Sequence, residues 1–289
     1  YFTSVSANNF SWDSVNGVMD GGLGGGELGV LVAPAGIGKS WCLQSLGAHL
    51  VRQGKTVAHY TLELNANYVG LRYDTVFSGI TTSNIKFYQE DVQKVIDTLT
   101  GKLIIKYYPT RSATVNTIAA HLKQMEIQEI KPDVVIVDYA DILKPTTFYK
   151  EKRHSTGETY ENLRGMAGEF DIPVWTASQA NRSSLEEEVI DASKVAEDYS
   201  KVMTADFVMS VSRKVEDKIA NTGRFHVIKN RFGIDGITFP ASINTNTGLI
   251  QVHEASTVGG QQAQGKMNNS EEYLRKTLSQ KYKDMGGFE

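Results

Sequence analysis

Apolar residues occur along the chain in short β-rich runs that alternate with longer amphipathic stretches. These runs predict strands at LGVLVA 28–33, TVAHYTL 56–62, KLIIKYY 102–108, DVVIVDY 133–139, IPVWTAS 172–178 and ADFVMSV 205–211. Because the runs are almost continuously apolar, we expect each strand to be buried on both faces. Helices are predicted between them at about 39–53, 66–78, 89–100, 114–129 and 159–170. This alternation is typical of an α/β fold in which helices cover both faces of a mainly parallel sheet.

The pattern changes in the last third of the chain. The runs RFHVIKNR 224–231 and GITFPASI 236–243, separated by a turn at 233–235, predict a C-terminal antiparallel β extension. After Glu254 the composition turns to Gly, Gln, Ser and Asn, before a charged stretch at 271–284 that is compatible with one helix. We therefore expect three parts: a linker (1–16), an α/β domain (17–254), and a flexible linker with a C-terminal helical tail (255–289).

Composition narrows the possible classes of protein. The 30 basic and 33 acidic residues give a net charge of −3, so any contact with nucleic acid must be local. The single cysteine, Cys42, cannot form an internal disulfide, which fits a reducing compartment. No apolar run approaches the roughly 20 residues needed to cross a bilayer. We therefore expect a cytoplasmic protein without membrane contact.

The octet Ala-Pro-Ala-Gly-Ile-Gly-Lys-Ser at 33–40 follows a predicted strand and opens a predicted helix. A phosphate-binding P-loop needs glycines that let backbone N–H groups surround phosphate oxygens, a lysine that neutralises charge, and a hydroxyl that ligates Mg²⁺. Ala33 departs from the first glycine of the usual GxxxxGK[ST] pattern, but a helix-capping turn alone would leave the Gly-Lys-Ser triplet unexplained. The octet therefore predicts an ATP and Mg²⁺ site formed by Ala35, Gly36, Ile37, Gly38, Lys39, Ser40 and Trp41.

Three polar residues at predicted strand ends are candidates for hydrolysis. Asp138 ends the run VVIVD and is expected to hold Mg²⁺ together with Ser40, although strand-end aspartates also serve as caps. Glu63 follows the second strand, at the edge where α/β sheets place ligands, and is the candidate general base unless it is a plain surface glutamate. Gln179 ends a later strand and is either a sensor of the γ-phosphate or a simple strand-end hydrogen bonder.

Lys229 and Arg231 stand two residues apart in the later β region, so a strand would place both cations on one face. Such cations can stabilise the transition state in a neighbouring subunit's site, which would make hydrolysis depend on assembly. The alternative is an exposed ladder of charges.

With these residues placed, the chain resembles the DnaB family of replicative helicases, and within it the helicases of T4-type phages, over roughly residues 11–254. The likeness rests on the P-loop beginning with Ala33, Thr61-Leu62-Glu63-Leu64 with Arg72, Asp138-Tyr139, Ser178-Gln179 and Lys229-Asn230-Arg231-Phe232-Gly233. The T4-type likeness adds Tyr108-Pro109-Thr110, Trp175-Thr176-Ala177 and Thr204-Ala205-Asp206-Phe207.

The resemblance implies a RecA-like P-loop NTPase core that acts as the motor domain of an ATP-dependent replicative DNA helicase. Such a motor translocates on single-stranded DNA as a hexameric ring and hydrolyses ATP at subunit interfaces. The resemblance assigns residues within one subunit to hydrolysis: Lys39, Ser40, Glu63 and Asp138. It places Arg72 beside the nucleotide, and Lys229 and Arg231 across the interface.

The same resemblance implies primase and a helicase loader as partners, and a phage protein acting in the cytoplasm of the bacterial host. The family's amino-terminal helical domain has no counterpart before Tyr1, so we expect a truncated chain that is a monomer or weak oligomer.

The resemblance also implies loops that line the DNA channel, and two irregular segments are the candidates: 144–158, with Lys144, Lys150, Lys152 and Arg153, and 180–200, opening with Asn181-Arg182. For each single cation, a solvated loop residue is the alternative. A RecA-like recombinase filament and a nucleotide-binding scaffold without motor activity are the alternative functions.

Overall fold

The computed structural model describes residues 12–147, 152–195 and 199–254, together with Lys266, Asn269, Glu272, Leu274 and Lys276. The described α-helices are α1 (Asp13–Val18), α2 (Lys39–Arg52), α3 (Ala66–Ser78), α4 (Gln89–Ile96), α5 (Val115–Ile127), α6 (Lys152–Phe170), α7 (Ser200–Thr204) and α8 (Val215–Ala220). The strands are β1 (Leu28–Ala33), β2 (Thr56–Thr61), β3 (Lys102–Tyr107), β4 (Val134–Asp138), β5 (Val174–Gln179), β6 (Phe207–Ser212), β7 (Thr222–Asn230), β8 (Thr238–Asn244) and β9 (Leu249–Val252). Short 3₁₀ turns lie at Ile85–Phe87, Ala140–Ile142, Arg182–Glu186 and Ala192–Lys194.

The described strands form a single sheet in the order β3-β2-β4-β5-β1-β6-β7-β8-β9. The pairs from β3 through β6 are parallel, and those from β6 through β9 are antiparallel. The predicted α/β fold with a mainly parallel sheet and a C-terminal antiparallel extension is therefore confirmed. We call the edge where β1, β2, β4 and β5 end the carboxyl edge, and the opposite edge the amino edge.

The core consists of two apolar layers, one on each face of the sheet. Side chains alternate between the faces along a strand, so Leu31 lies in one layer while its neighbours Val30 and Val32 lie in the other. Helices α2 and α3 cover the Leu31 layer, and α5 and α6 cover the other. Burial on both faces explains why the β1 residues form a continuous apolar run.

Most predicted element boundaries lie within two residues of the observed ones, but the helix predicted at 89–100 ends four residues early, at Ile96. Helix α6 begins at Lys152, seven residues before the predicted start, because the polar run 152–158 continues the helix without an apolar period. The prediction that 144–158 is irregular is therefore wrong from residue 152 onward. Strand β9 was not predicted, since its short alternating sequence Leu-Ile-Gln-Val gives little signal.

The described N-terminal segment packs against the core. Trp12 and Val15, which we assigned to the linker, are fully buried, and the Trp12 ring lies 4.8 Å from that of Phe225 between centroids. The Trp12 indole N–H donates to the Ile250 carbonyl at 3.0 Å, which joins this segment to β9. Residues 1–11 and most of the predicted tail at 255–289 lie outside the described residues. None of the helices that the structure describes has the length and hydropathy to span a bilayer.

A candidate nucleotide and hydrolysis site

The P-loop connects the end of β1 to the start of α2 at the carboxyl edge. Its glycines Gly36 and Gly38 have φ values of 74° and 117°, a region that other residues enter only with strain. An added Cβ at Gly36 would meet nothing within 4 Å, so the requirement there is backbone conformation, not space. The curled loop leads into the first turn of α2, where N–H groups lack intrahelical partners and favour an anion.

Lys39, the first residue of α2, reaches back into this loop. Its Nζ donates to the carbonyl oxygens of Ala33 at 3.0 Å and Pro34 at 3.2 Å. Burial lowers the pKa of Lys39 below its ordinary value, and the nearby Asp138 charge opposes that shift. The ammonium is thus held over the loop by the loop's own backbone, where it can neutralise phosphate charge.

Asp138, at the end of β4, lies next to Thr61 of β2 in the sheet register, and its carboxylate is hydrogen-bonded to Ser40. Burial raises the pKa of Asp138 to about 6, while the Ser40 hydrogen bond lowers it. Its Oδ1 atom is buried and has no hydrogen-bond partner within the described part of the chain. A buried carboxylate with an unused oxygen beside a hydroxyl is an oxygen-donor set that suits Mg²⁺, so these residues fit the predicted metal.

The P-loop opens into a cavity of about 300 Å³. Three predicted residues from separate elements meet in its wall: Glu63 beyond β2, Arg72 of α3 and Gln179 at the end of β5. The Glu63 charge is close enough to raise the pKa of Asp138. The fold thus gathers the residues predicted for hydrolysis within one chain at one edge of the sheet.

Arg72 is positioned by an aromatic ring. Its guanidinium carbon lies 4.9 Å from the centroid of the Trp41 ring, within cation–π range. Burial lowers the pKa of Arg72, and the charges of Asp138 and Glu63 act in the opposite direction. Trp41 therefore serves the cavity both as a wall and as a platform for the arginine.

Two residues of the site differ from the sequence-based prediction: Thr245 was missed, and the side chain of Ile37 does not reach the cavity. Thr245, from the turn between β8 and β9, lines the cavity, and a Cβ added at Gly38 would lie 3.6 Å from its methyl group. No local motif marks Thr245. The Ile37 side chain is 1% exposed in the core, so this predicted binding residue has only its backbone to offer.

Lys229 and Arg231 lie at the amino edge, away from the cavity. Phe207 at the start of β6 pairs with Gly29 of β1 on one side and with Asn230 of β7 on the other. The end of β7 is thus a strand length from the P-loop, on the order of 20 Å for six residues. Within one chain, these two cations cannot join the phosphate site.

Each of these cations has partners in its own chain. Lys229 Nζ donates to the carbonyls of Val202 at 2.8 Å and Met203 at 2.6 Å. Arg231 pairs with Asp206, with 2.8 Å between Nη1 and Oδ1, while its side chain stays 45% exposed. Asp206 also accepts from Arg164 Nε at 2.9 Å. The amino edge therefore carries cations that are held in place yet partly accessible.

The two predicted channel segments are only partly described. Lys150 lies outside the described residues, as do the side chains of Lys152 and Arg153, whose backbone is helical. The second segment is closed by a bridge between Ala180 and Val195, which leaves Asn181 and Arg182 exposed at its start.

Comparison with known proteins places this arrangement in a family. The family described as "DnaB-like helicase C terminal domain" matches residues 13–241. The DnaB-like replicative helicase of Enterobacteria phage T4 is 29% identical over 245 residues, which cover 81% of this chain and 52% of that protein. The replicative DNA helicase DnaB of Helicobacter pylori strain J99 is 23% identical over 168 residues, 56% of this chain and 34% of that protein. The chain thus spans about half the length of the first relative and about a third of the second.

Two solved structures share the fold with a TM-score of 0.73 and 17% identity. One is described as an ATPase domain, with 86% of this chain and 93% of that chain covered. The other is a DnaB-like replicative helicase described with its interactions with primase, with 86% and 62% covered. The RecA-like fold inferred from the resemblance is confirmed. Because the family model matches residues 13–241, most of the chain, this chain belongs to the DnaB-like helicase C-terminal domain family.

Proposed function

We propose that this chain is the ATP-hydrolysing motor domain of a replicative DNA helicase, which translocates on single-stranded DNA as a hexameric ring. The observation that carries the proposal is the separation of the phosphate site at the carboxyl edge from Lys229 and Arg231 at the amino edge. A ring brings the amino-edge cations of one copy to the cavity of the next. The family match and the names of the curated relatives support the helicase assignment.

Hydrolysis in this proposal is attack of water on the γ-phosphorus, with cleavage of its bond to the ADP oxygen. Glu63 accepts the proton of the attacking water, for which its exposed position in the cavity wall is suited. Lys39 neutralises the phosphate charge, and Gln179 contacts the γ-phosphate from β5. Ser40 and Asp138 would hold Mg²⁺, which supplies electrostatic stabilisation of the phosphate oxygens when bound.

Arg231, together with Lys229, completes the site of the neighbouring copy. The exposed part of the Arg231 side chain is available to a second phosphate site while Asp206 fixes its base. A guanidinium supplied to the transferring phosphoryl group stabilises the charge that develops in the transition state. A single copy would therefore bind ATP but hydrolyse it slowly.

The wider setting is also part of the proposal. Exposed Asn181 and Arg182 lie at the start of the second channel segment, where they are available to a DNA backbone. The similar structure described with primase supports primase as a partner, whereas the loader rests on the family resemblance alone. The T4 relative supports action in the cytoplasm of a bacterial host.

Mixing two inactive variants tests whether sites are shared. Arg231→Ala protein keeps its own Glu63, and Glu63→Ala protein keeps its own Arg231. In a random equal mixture, about a quarter of the interfaces regain both residues. We expect ATP hydrolysis stimulated by single-stranded DNA to reappear in proportion, and its absence at every mixing ratio would overturn the shared site. Electron microscopy of the same samples with an ATP analogue distinguishes closed rings from an open recombinase-like filament.

A further inference from the structure

A buried ion pair lies directly behind Gln179, outside the wall of the cavity. Lys201 of α7 is 1% exposed, and its Nζ lies 2.9 Å from Asp141 Oδ1 and 3.1 Å from the hydroxyl of Ser178. Lysine is rarely buried this completely unless it is paired. Replacing a buried ion pair by well-packed apolar side chains is often neutral or stabilising, so such a pair is weak evidence for a role in stability.

Asp141 brings three elements together at the carboxyl edge. It belongs to the 3₁₀ turn three residues beyond Asp138, and its Oδ2 accepts from the backbone N–H of Gln179 at 2.9 Å. Its Oδ1 accepts from the hydroxyl of Tyr160 on α6 at 2.8 Å. With Lys201 included, the carboxylate ties the ends of β4 and β5 to α6 and α7. The backbone N–H of the cavity residue Gln179 is thereby held by the same carboxylate that pairs with Lys201 of α7.

Residues after Lys201, in α7 and directly beyond it, hold the amino-edge cations Lys229 and Arg231. The carbonyls of Val202 and Met203, the two residues after Lys201, accept both hydrogen bonds of Lys229. Asp206, which pairs with Arg231, follows α7 after a single intervening residue. A continuous series of direct contacts therefore runs from the cavity wall to both cations.

We propose that Lys201 and Asp141 are positioning residues that couple Gln179 at one nucleotide site to the amino-edge cations Lys229 and Arg231. This inference rests on the proposed function, in which those cations enter the site of the next copy. In this proposal, a γ-phosphate that displaces Gln179 also displaces its backbone N–H and the Asp141 carboxylate bound to it. The ion pair then shifts α7, and with it Lys229 and Arg231 at the neighbouring site. Neither Lys201 nor Asp141 lines the cavity.

The chain contains a matched control for a purely structural role of the pair. Lys194 and Glu187 form an ion pair of 2.7 Å in the same connection between β5 and β6, but both side chains are substantially exposed. Lys194→Met therefore removes a lysine from this connection without breaking the path from Gln179 to α7.

Hydrogen–deuterium exchange of the α7 segment tests the coupling. The amides of Ala205 and Asp206 are suitable probes because they donate to the carbonyls of Lys201 and Leu28. With Mg²⁺, we expect exchange of residues 202–206 to differ roughly threefold or more between ADP and a non-hydrolysable ATP analogue. Lys194→Met keeps this difference. Lys201→Met abolishes it while changing analogue affinity by less than about twofold.

The inference is overturned if Lys201→Met retains the wild-type difference, or if exchange at α7 in the wild type is the same with both nucleotides although both bind. If Lys201→Met does not fold, the double variant Lys201→Met/Asp141→Leu takes its place, because it leaves no uncompensated buried charge. The same two results decide the question. Failure of the proposed function would be seen in a separate experiment, as ATP hydrolysis that persists in the Lys39→Ala variant.

Discussion

The carboxyl and amino edges of the sheet hold their charged side chains in different ways. At the carboxyl edge, Asp138 is buried with an oxygen that lacks a partner among the described residues, and Gly36 and Gly38 shape a loop beside an open cavity. At the amino edge, Asp206 is satisfied by two arginines, and the Lys229 ammonium is capped by two carbonyls. The first edge is built to receive charge, and the second to present charge that is already in position.

In the proposed function, one chain therefore supplies only part of each hydrolysis site. Desolvation keeps the Asp138 pKa high until a cation compensates the carboxylate, so the carboxyl edge depends on what binds there. The cations at the amino edge already have partners within the chain. Four sets of variants test this contrast, beginning with the largest expected effect.

Lys39→Ala removes the cation at the centre of the carboxyl edge. We expect ATP hydrolysis to fall on the order of 10³-fold, because phosphate charge then lacks its main neutralising group within the chain. A phosphate-release assay with and without single-stranded DNA measures the effect. Lys55→Ala, which removes a half-exposed lysine paired with Asp133 at 3.7 Å, is the control and should retain wild-type activity. Unchanged hydrolysis in Lys39→Ala would contradict the assignment of the site.

Arg231→Ala acts on the amino edge and should separate binding from turnover. We expect turnover at high protein concentration to fall on the order of 10²-fold. The ATP affinity of dilute, unassembled protein should stay within about twofold, because Arg231 lies outside its own chain's cavity. Titrating protein concentration in the ATPase assay, with an independent binding measurement, gives both quantities. Lys218→Ala on α8 removes another exposed cation and serves as control. A large loss of affinity in Arg231→Ala would mean that the two edges are not separate.

Trp41→Ala tests how the carboxyl edge positions Arg72. Loss of the ring that lies under the guanidinium should weaken ATP-analogue binding about 5- to 10-fold, as expected for a partly desolvated cation–π contact. Trp41→Phe keeps an aromatic face and should recover most of the affinity. Equilibrium titration of the three proteins decides the matter. Equal weakening in both variants would point to lost volume instead of lost stacking.

Asp138→Asn should raise the thermal stability of the protein in the absence of nucleotide. Because the pKa of Asp138 is raised to about 6 from its ordinary value near 3.8, its ionised form costs up to about 3 kcal/mol at neutral pH in the absence of a cation. That cost is fully present above pH 6 and is relieved as the pH falls towards 4.

Thermal unfolding without nucleotide measures this cost. We expect Asp138→Asn to melt a few degrees above the wild type at pH 7.5, with the difference shrinking at pH 5. A Tm difference that is independent of pH would mean that ionisation of Asp138 does not destabilise the nucleotide-free protein.

Much of the carboxyl edge could be predicted because its signals are local. The P-loop octet, the run ending in Asp138 and the strand-end Gln179 each carry their meaning within a few residues, and parallel pairing brings such ends together. The amino-edge cations were identifiable by their spacing. Their distance from the P-loop became clear only from the antiparallel pairing of β6 and β7.

Other features depend on long-range geometry that no local pattern reveals. Thr245 enters the cavity because the β8–β9 turn lies over α2, and an isolated threonine in a polar turn gives no signal. Asp141 and Lys201 stand 60 positions apart, and both residue types are usually exposed. The burial of Trp12 escaped prediction because its segment is too short and irregular to show a period.

The hydrogen bond between the Trp12 indole and the Ile250 carbonyl has a consequence for how the domain is made. It joins two residues 238 positions apart, so β9 must leave the ribosome before the first helix can dock. The cavity beside the P-loop gains Thr245 at the same late stage of synthesis. Because the two ends of the domain meet there, a short peptide should be able to bridge them in a circularly permuted version opened at an exposed loop elsewhere.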